Sequence, residues 1–467
     1  MRVTFFKNLS ICGRLTAGAH PRMDFRERVT RAAAPVGRPP DADAPTVPQV
    51  PTARDTRARS PLRFSLAQTF ASMRYPNYRL WFAGQLASLV GTWMQSTAQS
   101  FLVYELTHSP AYLGVVAFAA GIPSWLFTLY GGVVSDRMPR RTVLMLTQTA
   151  MMVLALILAG LTFTHLVQPW HIVVLAFLLG VANAFDAPAR QAFVLEMVER
   201  EDLSNAIALN STMFNSATVV GPAVAGITYA VVGPAWCFMV NAVSFVAVIA
   251  ALARMRLAPQ MIRARGASVL AELRRGLGYL RREPTVRTLI GVAAFVSFFG
   301  LGYVTLMPAW AVEVLGGDAV TNGWMQSARG VGSLIGALMI ASLGRFRWKG
   351  RLLTTGMLAL PVLLIIFSFV RSTPLALVVL AVAGWAFMAL FNMLNTLIQS
   401  AVPDDLRGRV LAVYSLSFFG LVPVGSLLAG SAASIVGEPL TVLASGILLL
   451  LFALGLLWRA PQIRALE

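Results

Sequence analysis

The chain has 467 residues, of which 57% are apolar and only 12% are charged. Soluble globular domains carry about 25% charged residues, so this composition excludes an ordinary soluble domain and predicts a chain that lies mostly in lipid. The net charge of +18 does not indicate nucleic-acid binding, because so apolar a chain leaves little solvated surface for a basic patch. The two cysteines and four histidines lack ligand-like spacing, and we expect no metal and no cofactor.

The first segment, residues 1–75, differs from the rest because Arg, Pro and Ala dominate it. It holds no apolar stretch long enough for a signal peptide, and its polar, proline-rich composition is typical of disorder. We therefore predict a disordered Arg/Pro-rich tail.

Apolar runs recur from Arg79 onward, each long enough to cross a hydrocarbon core of about 30 Å as a helix. The twelve predicted spans cover residues 79–106, 111–134, 142–165, 168–189, 204–232, 235–256, 288–314, 321–344, 352–371, 374–400, 409–436 and 438–458. The sequence thus predicts an all-α membrane protein whose twelve transmembrane helices form two six-helix halves, residues 76–256 and 288–467.

A long connector, residues 257–287, divides the spans six and six. Between Leu270 and Arg282 its leucines recur at helical spacing against arginines, a pattern typical of an amphipathic helix at a membrane surface. We expect these arginines to lie at anionic lipid headgroups, with a regulatory contact as the alternative.

The cations fall almost entirely on one side of the predicted topology. With a cytoplasmic N-terminus, every Lys and Arg except Arg329 and Arg371 lies in the tail, in a cytoplasmic connector or after the last span. Cations near span ends are retained on the cytoplasmic side, so we predict a multi-pass protein of the cell membrane with both termini in the cytoplasm.

A weak internal repeat relates the two halves. Asp202-Leu203 precedes a Gly-x-x-x-x-Gly element that begins at Gly221, and Asp405-Leu406 precedes a second one that begins at Gly425. Two such halves predict a pseudo-two-fold bundle whose site lies between them and opens alternately to each side. Chance recurrence of glycine in glycine-rich helices is the alternative.

A signature-like stretch lies between spans 2 and 3 and reads Gly132-Val-Val-Ser-Asp136-Arg137-Met-Pro-Arg140-Arg141. It resembles the Gly-x-Leu-Ala-Asp-Arg-x-Gly-Arg-Arg signature of the major facilitator superfamily, with proline at position 139 in place of a glycine. Two further stretches resemble the enterobactin-exporter-like and macrolide-efflux-like branch of that superfamily. They contain Asp186, Arg190 and Gln191, and Asp405, Arg407 and Arg409.

The resemblance implies a twelve-helix secondary transporter that exports a small amphipathic molecule, such as a siderophore, drug or metabolite, by alternating access and in exchange for protons. In that superfamily the signature aspartate, here Asp136, helps hold the two halves together on the cytoplasmic side. An uptake permease on the same fold is the first alternative, and a membrane sensor or scaffold that transports nothing is the second. No catalytic constellation indicates an enzyme, and we expect a monomer.

An export-type motif lies in span 5. Gly221, Pro222 and Gly226 resemble the Gly-Pro-x-x-Gly-Gly element of antiporters, although Ala225 replaces one glycine. Proline removes a backbone donor and glycine allows close approach, so plain packing against another helix is the alternative interpretation.

Polar side chains inside the predicted spans are costly in lipid and face a cavity or a partner helix. The resemblance places spans 1, 4, 7 and 10 around a central cavity, and these spans carry most of the candidate cargo ligands. The candidates are Gln85, Thr92, Gln95, Gln99, Asn183, Tyr303, Arg329, Asn392, Asn395 and Gln399. Interhelical hydrogen bonding is the competing explanation for each, and aromatic residues such as Trp93 and Phe387 suit an apolar cargo.

Two charged features of the spans stay open. Arg329 needs a partner, because an unpaired cation inside a bilayer costs about 2.5 to 3.5 kcal/mol. The charge could be compensated by Glu313, by a carboxylate on the cargo or by snorkelling of the side chain to the interface.

The chain lacks a Gly-x-x-x-x-Gly-Lys-Ser/Thr loop, so we expect an ion gradient, and not ATP hydrolysis, to drive transport. No Asp or Glu lies mid-span, since Glu105, Asp136, Asp186 and Glu313 all lie near span ends. Uniport and proton coupling through one of these end carboxylates are therefore the open alternatives.

Overall fold

The computed structural model describes residues 70–257, 269–343, 348–460 and 464. Within these ranges the regular elements are helices, and twelve of them are long. They are α1 (Pro76–Thr107), α2 (Pro110–Arg137), α3 (Arg140–Phe163), α4 (Pro169–Phe193), α5 (Leu203–Val232), α6 (Pro234–Arg254), α7 (Pro284–Val314), α8 (Ala319–Leu343), α9 (Lys349–Phe369), α10 (Thr373–Ala401), α11 (Asp404–Val436) and α12 (Glu438–Arg459).

Proline and glycine set the ends of several helices. Proline is the first residue of α1, α2, α4, α6 and α7, where its missing N–H would have no intrahelical partner. Gly233 between α5 and α6 has a φ of 91°, and Gly437 between α11 and α12 has a φ of 85°; glycine adopts these values without steric cost. The two glycines occupy equivalent places, which supports the internal repeat seen in the sequence.

Ten of the described helices are long and apolar enough to cross a membrane, and for them the predicted spans are confirmed. The other two, α1 and α8, have 32 and 25 residues but contain more polar residues. Gln85, Ser88 and Gln95 of α1 and Asn322 and Gln326 of α8 are buried inside the protein. Polar groups that face the interior explain why these two helices are less apolar than the rest.

The helices pair in the same pattern within each half. In the first half α1 packs against α5 and α6, α2 against α4, and α3 against α4 and α6. In the second half α7 packs against α11 and α12, α8 against α10, and α9 against α10 and α12. Between the halves, α5 packs against α8 and α2 against α11, two interfaces that the pseudo-two-fold relation exchanges. The all-α fold in two pseudo-symmetric halves is confirmed.

The predicted tail extends a few residues too far along the chain. Residues Ala71–Arg74 form a 3-10 helix, although disorder was predicted to residue 75. The backbone N–H of Ser72 donates to Asn205 Oδ1 at 2.9 Å, and Tyr75 Oη donates to Asp202 Oδ2 at 3.0 Å. These contacts with the start of α5 order the segment. The rest of the predicted tail, residues 1–69, lies outside the described residues.

The connector between the halves contains the expected helix, which spans Val269–Arg282 and is named the linker helix. Its Leu280 is buried, and a Cβ on Gly276 would lie 2.9 Å from the carbonyl oxygen of Arg409. The linker helix therefore packs against the start of α11 with one face. Residues 258–268 of the predicted connector lie outside the described residues.

Glycine-mediated packing holds α8 against α10. A Cβ on Gly332 would overlap the carbonyl oxygen of Ala381, and a Cβ on Gly336 would lie 3.1 Å from that of Trp385. Membrane helices lack a hydrophobic driving force between them, so close backbone approach through small residues supplies their association.

We expect Gly332→Val to destabilise the second half, because overpacking of this kind costs about 1–3 kcal/mol. The measurement is the midpoint of thermal unfolding of the purified protein in detergent. Gly160→Ala in α3 is the matched control, since a Cβ there would meet nothing within 4 Å. Equal midpoints for Gly332→Val and the unaltered protein would contradict close packing at this place.

Candidate functional site

The bundle has two chemically different ends. At one end the connectors 108–109, 164–168, 315–318 and 370–372 carry a single cation, Arg371; we call this the arginine-poor end. At the other end lie Arg137, Arg140, Arg200 and Arg407, among others; we call it the arginine-rich end.

The two halves meet closely at the arginine-poor end. On the α5–α8 side, a Cβ on Gly226 would lie 2.7 Å from the carbonyl oxygen of Ala319, and one on Gly323 would lie 2.5 Å from that of Pro222. Tyr104 Oη of α1 also donates to Glu313 Oε1 of α7 at 2.7 Å. Glycine contacts and one hydrogen bond thus close this end.

The α2–α11 side repeats the arrangement. A Cβ on Gly114 would lie 2.8 Å from the carbonyl oxygen of Ser426, and one on Gly430 would lie 2.5 Å from that of Pro110. Nearer the arginine-rich end, described glycines behave differently: Gly131 packs on its own half, and Gly132 and Gly408 would place a Cβ in open space. Close glycine contacts between the halves thus occur at the arginine-poor end and near the middle of the bundle, where a Cβ on Gly330 would lie 2.6 Å from the carbonyl oxygen of Thr218.

A cavity of about 620 Å³ lies between the halves, and we call it the central cavity. Its lining comes from α1, α2, α5, α7, α8, α10 and α11. The lining residues are Trp93, Ala117, Ala120, Gly121, Ser124, Phe214, Asn215, Thr218, Leu301, Val304, Thr305, Arg329, Gly330, Ser333, Phe387, Met388, Phe418, Phe419, Val422, Pro423 and Ser426. This volume is typical of a small-molecule site, and most of its surface is apolar.

Arg329 is the one charged residue among those that line the central cavity in the described part of the chain. Its Nε is buried and has no hydrogen-bond partner. Glu313 is not its partner, because that carboxylate accepts from Tyr104 at the arginine-poor end. Tyr303, next in sequence to Val304 of the cavity wall, is buried.

Aromatic rings form much of the remaining wall. The rings of Trp93 and Phe214 meet edge to face with centroids 5.9 Å apart, and those of Phe418 and Phe419 do so at 5.0 Å. Together with the isolated guanidinium, these rings make a site for a molecule that is partly aromatic and partly anionic.

The polar stripe of α1 faces the interior of the first half rather than the central cavity. Gln95 Oε1 accepts from Asn241 Nδ2 of α6 at 2.6 Å, and Thr92 Oγ1 donates to the carbonyl oxygen of Ser88 at 2.8 Å. Gln99 is buried as well. For Gln95 the structure shows the interhelical hydrogen bond that was the alternative to cargo binding.

The polar residues of α10 lie near the arginine-rich end. Gln399 Nε2 donates to Asn395 Oδ1 at 3.0 Å, and Arg407 Nε donates to the carbonyl oxygen of Gln399 at 3.1 Å. Asn392 is half-buried, and none of these amides lines the central cavity. Their cargo contact stays a prediction.

A second, smaller cavity of about 140 Å³ lies inside the first half, and we call it the N-half cavity. Its lining residues are Gln85, Ser88, Leu89, Thr92, Trp93, Gln148, Met151, Asn183, Asp186, Arg190, Phe214 and Phe245. Three sequence candidates, Gln85, Thr92 and Asn183, therefore come together here. Trp93 and Phe214 line both cavities.

Asp186 lies deeper than its position near the end of a predicted span suggests. The helix α4 continues to Phe193, and Asp186 is only 1% exposed. Its Oδ1 accepts from Thr147 Oγ1 and Gln148 Nε2, both at 2.9 Å, and its Oδ2 lies 3.6 Å from Arg190 Nε. This is a buried carboxylate on the wall of a polar cavity.

The signature residues lie at the arginine-rich end. Arg140 Nη1 lies 2.6 Å from Glu196 Oε1, and Arg141 Nη2 donates to the carbonyl oxygen of Ala253 at 2.9 Å. Both arginines thus bind elements of their own half. Asp136 is half-buried and Arg137 is exposed.

The other family-type motifs have visible structural contacts. Gly221 of the export-type motif would place a Cβ 2.5 Å from Cβ of Trp93, and Gly226 contacts α8. The motif therefore packs α5 between α1 and the second half. At the start of α11, Arg407 pairs with Asp404, Asp405 is exposed and Arg409 is half-buried. Gln191, near the end of α4, is exposed.

Several cavity residues were missed from the sequence. Phe214, Asn215 and Thr218 of α5 and Ser333 of α8 line the central cavity, but these helices lie outside the four that the resemblance places around it. The hint in the sequence is the four glycines of α8, which indicate close approach to a neighbouring helix.

Comparison with solved structures supports this fold. A bacterial homologue of the human lysosomal transporter Spinster, inward-facing and unoccupied, has a TM-score of 0.63 at 14% identity and covers 86% of this chain and 98% of its own. A D-xylose–proton symporter has a TM-score of 0.65 at 13% identity and covers 81% and 97%. This chain therefore has the same fold as these transporters.

Relatives in sequence narrow that class. The multidrug efflux pump Tap of Mycolicibacterium fortuitum is 28% identical and covers 82% of this chain and 95% of its own length. The staphyloferrin A transporter of Staphylococcus aureus is 22% identical and covers 79% and 92%. Macrolide efflux protein A of Streptococcus pyogenes is 22% identical and covers 82% and 96%.

A family described as transmembrane secretion effectors matches residues 67–467, and this chain belongs to it. The protein is a multi-pass membrane transporter of the efflux branch of the major facilitator superfamily, with a small molecule as its substrate. The family is one of transporters and not of enzymes.

The bond between Tyr104 and Glu313 predicts how the closed end responds to substitution. We expect Tyr104→Phe to favour opening of the arginine-poor end by about fivefold in population, because a lost hydrogen bond costs about 1 kcal/mol. The measurement is the distance between spin labels at positions 112 and 435. Tyr130→Phe, which alters an exposed ring, is the control. Unchanged distances in Tyr104→Phe would contradict a role of the Tyr104–Glu313 hydrogen bond in closing this end.

The same labels test the sequence prediction for Asp136. If this carboxylate helps to hold the arginine-rich end closed, Asp136→Asn shifts the balance in the opposite direction, toward the arrangement with the arginine-poor end closed. An unchanged balance would remove this role from Asp136.

Proposed function

We propose that this transporter exports a small amphipathic molecule across the cell membrane by alternating access, with the central cavity as the cargo site and protons as the coupling ion. The observation that carries the proposal is the cavity itself, which both halves line and which holds one unpaired guanidinium among aromatic rings. Because a single chain lines the cavity, we also expect a monomer to suffice.

The cargo class follows from the lining. Arg329 offers charge-assisted hydrogen bonds to a carboxylate or a similar anion, and the rings of Trp93, Phe214 and Phe387 accept an aromatic or apolar body. No acidic side chain lines the described part of the cavity to balance a cationic cargo. We therefore propose an anionic, partly aromatic cargo.

Alternating access requires the interfaces to open at one end while they close at the other. The interfaces α5–α8 and α2–α11 are exchanged by the pseudo-two-fold relation, so the halves can rock about the central cavity. The present arrangement, closed at the arginine-poor end, would be the one in which cargo enters from the arginine-rich side.

Orientation decides whether such movement is export. Arginines concentrate at one end of the bundle, which supports a cytoplasmic location for that end and for both termini. We expect a cysteine introduced at exposed position 277 of the linker helix, after replacement of both native cysteines, to react with a membrane-impermeant maleimide only in inverted vesicles. Reaction of this cysteine in intact cells would indicate the opposite orientation. A cysteine at position 371, at the arginine-poor end, is the control and should react in intact cells.

The transport experiment uses two dyes with related ring systems and opposite charge, carboxyfluorescein and rhodamine 6G. We expect inverted vesicles that contain the protein to accumulate carboxyfluorescein when a proton gradient is imposed. Arg329→Gln should reduce this accumulation about tenfold, which corresponds to about 1.4 kcal/mol of lost cargo binding. Rhodamine 6G accumulation should not fall by this factor.

Arg371→Gln is the matched control, because Arg371 bonds the carbonyl oxygens of Ser368 and Val370 in its own connector. Equal loss in both arginine variants would remove the cargo role of Arg329. Outward flux from inverted vesicles would favour the uptake permease, and absence of flux for both dyes would favour the sensor or scaffold.

A further inference from the structure

The N-half cavity contains a buried ion pair that cargo binding in the central cavity does not explain. Asp186 and Arg190, one helical turn apart on α4, are joined at 3.6 Å, and Asp186 is 1% exposed. Its Oδ1 already accepts two hydrogen bonds, whereas its Oδ2 has only the arginine. Oδ2 is therefore the carboxylate oxygen that still has room for a further hydrogen-bond partner.

The charged groups around Asp186 are few. The side chains that line the cavity from α1, α3, α5 and α6 are uncharged, among them Gln85, Gln148 and Phe245. The helices α2 and α3 pack against α4, and their charged groups at the arginine-rich end belong to the signature. These groups are Asp136, Arg137, Arg140 and Arg141. Arg140 pairs with Glu196 and Arg141 with backbone, so Arg190 is the cation that faces this carboxylate.

Two buried acceptors in the same cavity lack donors. Gln85 Oε1 and Gln148 Oε1 have no hydrogen-bond partner, although both residues are at most 2% exposed. A buried acceptor without a donor is unfavourable. A proton on Asp186 would convert that carboxylate from an acceptor into a donor and so add one donor to a cavity that holds two unpartnered acceptors.

The N-half cavity shares a wall with the central cavity. Trp93 and Phe214 line both, and their rings touch edge to face at 5.9 Å. Gly221 lets α5 approach Cβ of Trp93 closely, so the position of this ring depends on the packing of α5. A shift of these two rings would alter the space in both cavities.

We propose that Asp186 is the residue that binds and releases the proton that drives transport, with Arg190 as its counter-ion and the Trp93–Phe214 wall as the contact with cargo. The inference rests on the proposed proton-coupled export and assigns its coupling site. One proton enters from the arginine-poor side when that end is open and binds Asp186 Oδ2. It leaves to the arginine-rich side, and the carboxylate pairs again with Arg190; no other reactant is consumed.

The first experiment needs no cargo. Infrared difference spectra of the full-length protein in liposomes, recorded between acidic and alkaline pH, report protonation of carboxyl groups through their C=O stretch. We expect a band from a buried carboxylic acid that is absent in Asp186→Asn and present in Glu199→Gln, a control with an exposed acid in the connector after α4. Identical bands in the unaltered protein and in Asp186→Asn would overturn the assignment.

The second experiment separates coupling from movement. In proteoliposomes, Asp186→Asn should lose at least tenfold of the carboxyfluorescein accumulation driven by a pH gradient while it keeps the exchange of labelled for unlabelled dye across the membrane. Accumulation equal to that of the unaltered protein would overturn the proposal. Failure of the unaltered protein to move the dye would reject the proposed cargo class and leave the infrared result to decide the proton site.

A folding defect in the single variant does not block the test. Asp186→Asn/Arg190→Gln removes both charges and leaves no ion unpaired, and its infrared spectrum should also lack the band. Persistence of the band in this double variant would contradict the role of Asp186 as directly as its persistence in the single variant.

Discussion

The structure depends on one constraint, that polar groups inside a bilayer must find partners within the protein because lipid offers none. This constraint explains why α1 and α8 are less apolar than the other helices: their Gln, Ser and Asn side chains are buried between helices. It also explains why the isolated guanidinium of Arg329 and the carboxylate of Asp186 both border cavities. Charge is retained in this molecule where a ligand or an ion can reach it.

The same constraint leaves helix association to close packing. Lipid tails are as apolar as leucine, so the halves adhere through glycines that bring backbones together at α5–α8 and α2–α11. Such interfaces hold few specific bonds across the halves, with Ser327 Oγ donating to the carbonyl oxygen of Val219 at 2.7 Å as one of them. An interface made of smooth surfaces and few hydrogen bonds can separate at one end without large cost.

The sequence predicted the large-scale fold well because length, hydropathy and arginine placement each report on the bilayer directly. It predicted individual site residues less well. The stripe of amides on α1 indicated a polar face, yet only the fold showed that Gln95 bonds Asn241 while Gln85 lines the N-half cavity. The sequence predicts that Asp186 lies near the end of a span, because hydropathy does not show that α4 continues past it to Phe193. Phe214 carried no pattern of its own.

The rings of Trp93 and Phe214 line both the central cavity and the N-half cavity. A substitution at either ring that enlarges the central cavity for bulkier molecules therefore also alters the geometry of the N-half cavity. If the central cavity holds cargo and the N-half cavity holds the coupling proton, substitutions at Trp93 or Phe214 would affect both functions, whereas substitutions in the α10 and α11 lining would affect the central cavity alone.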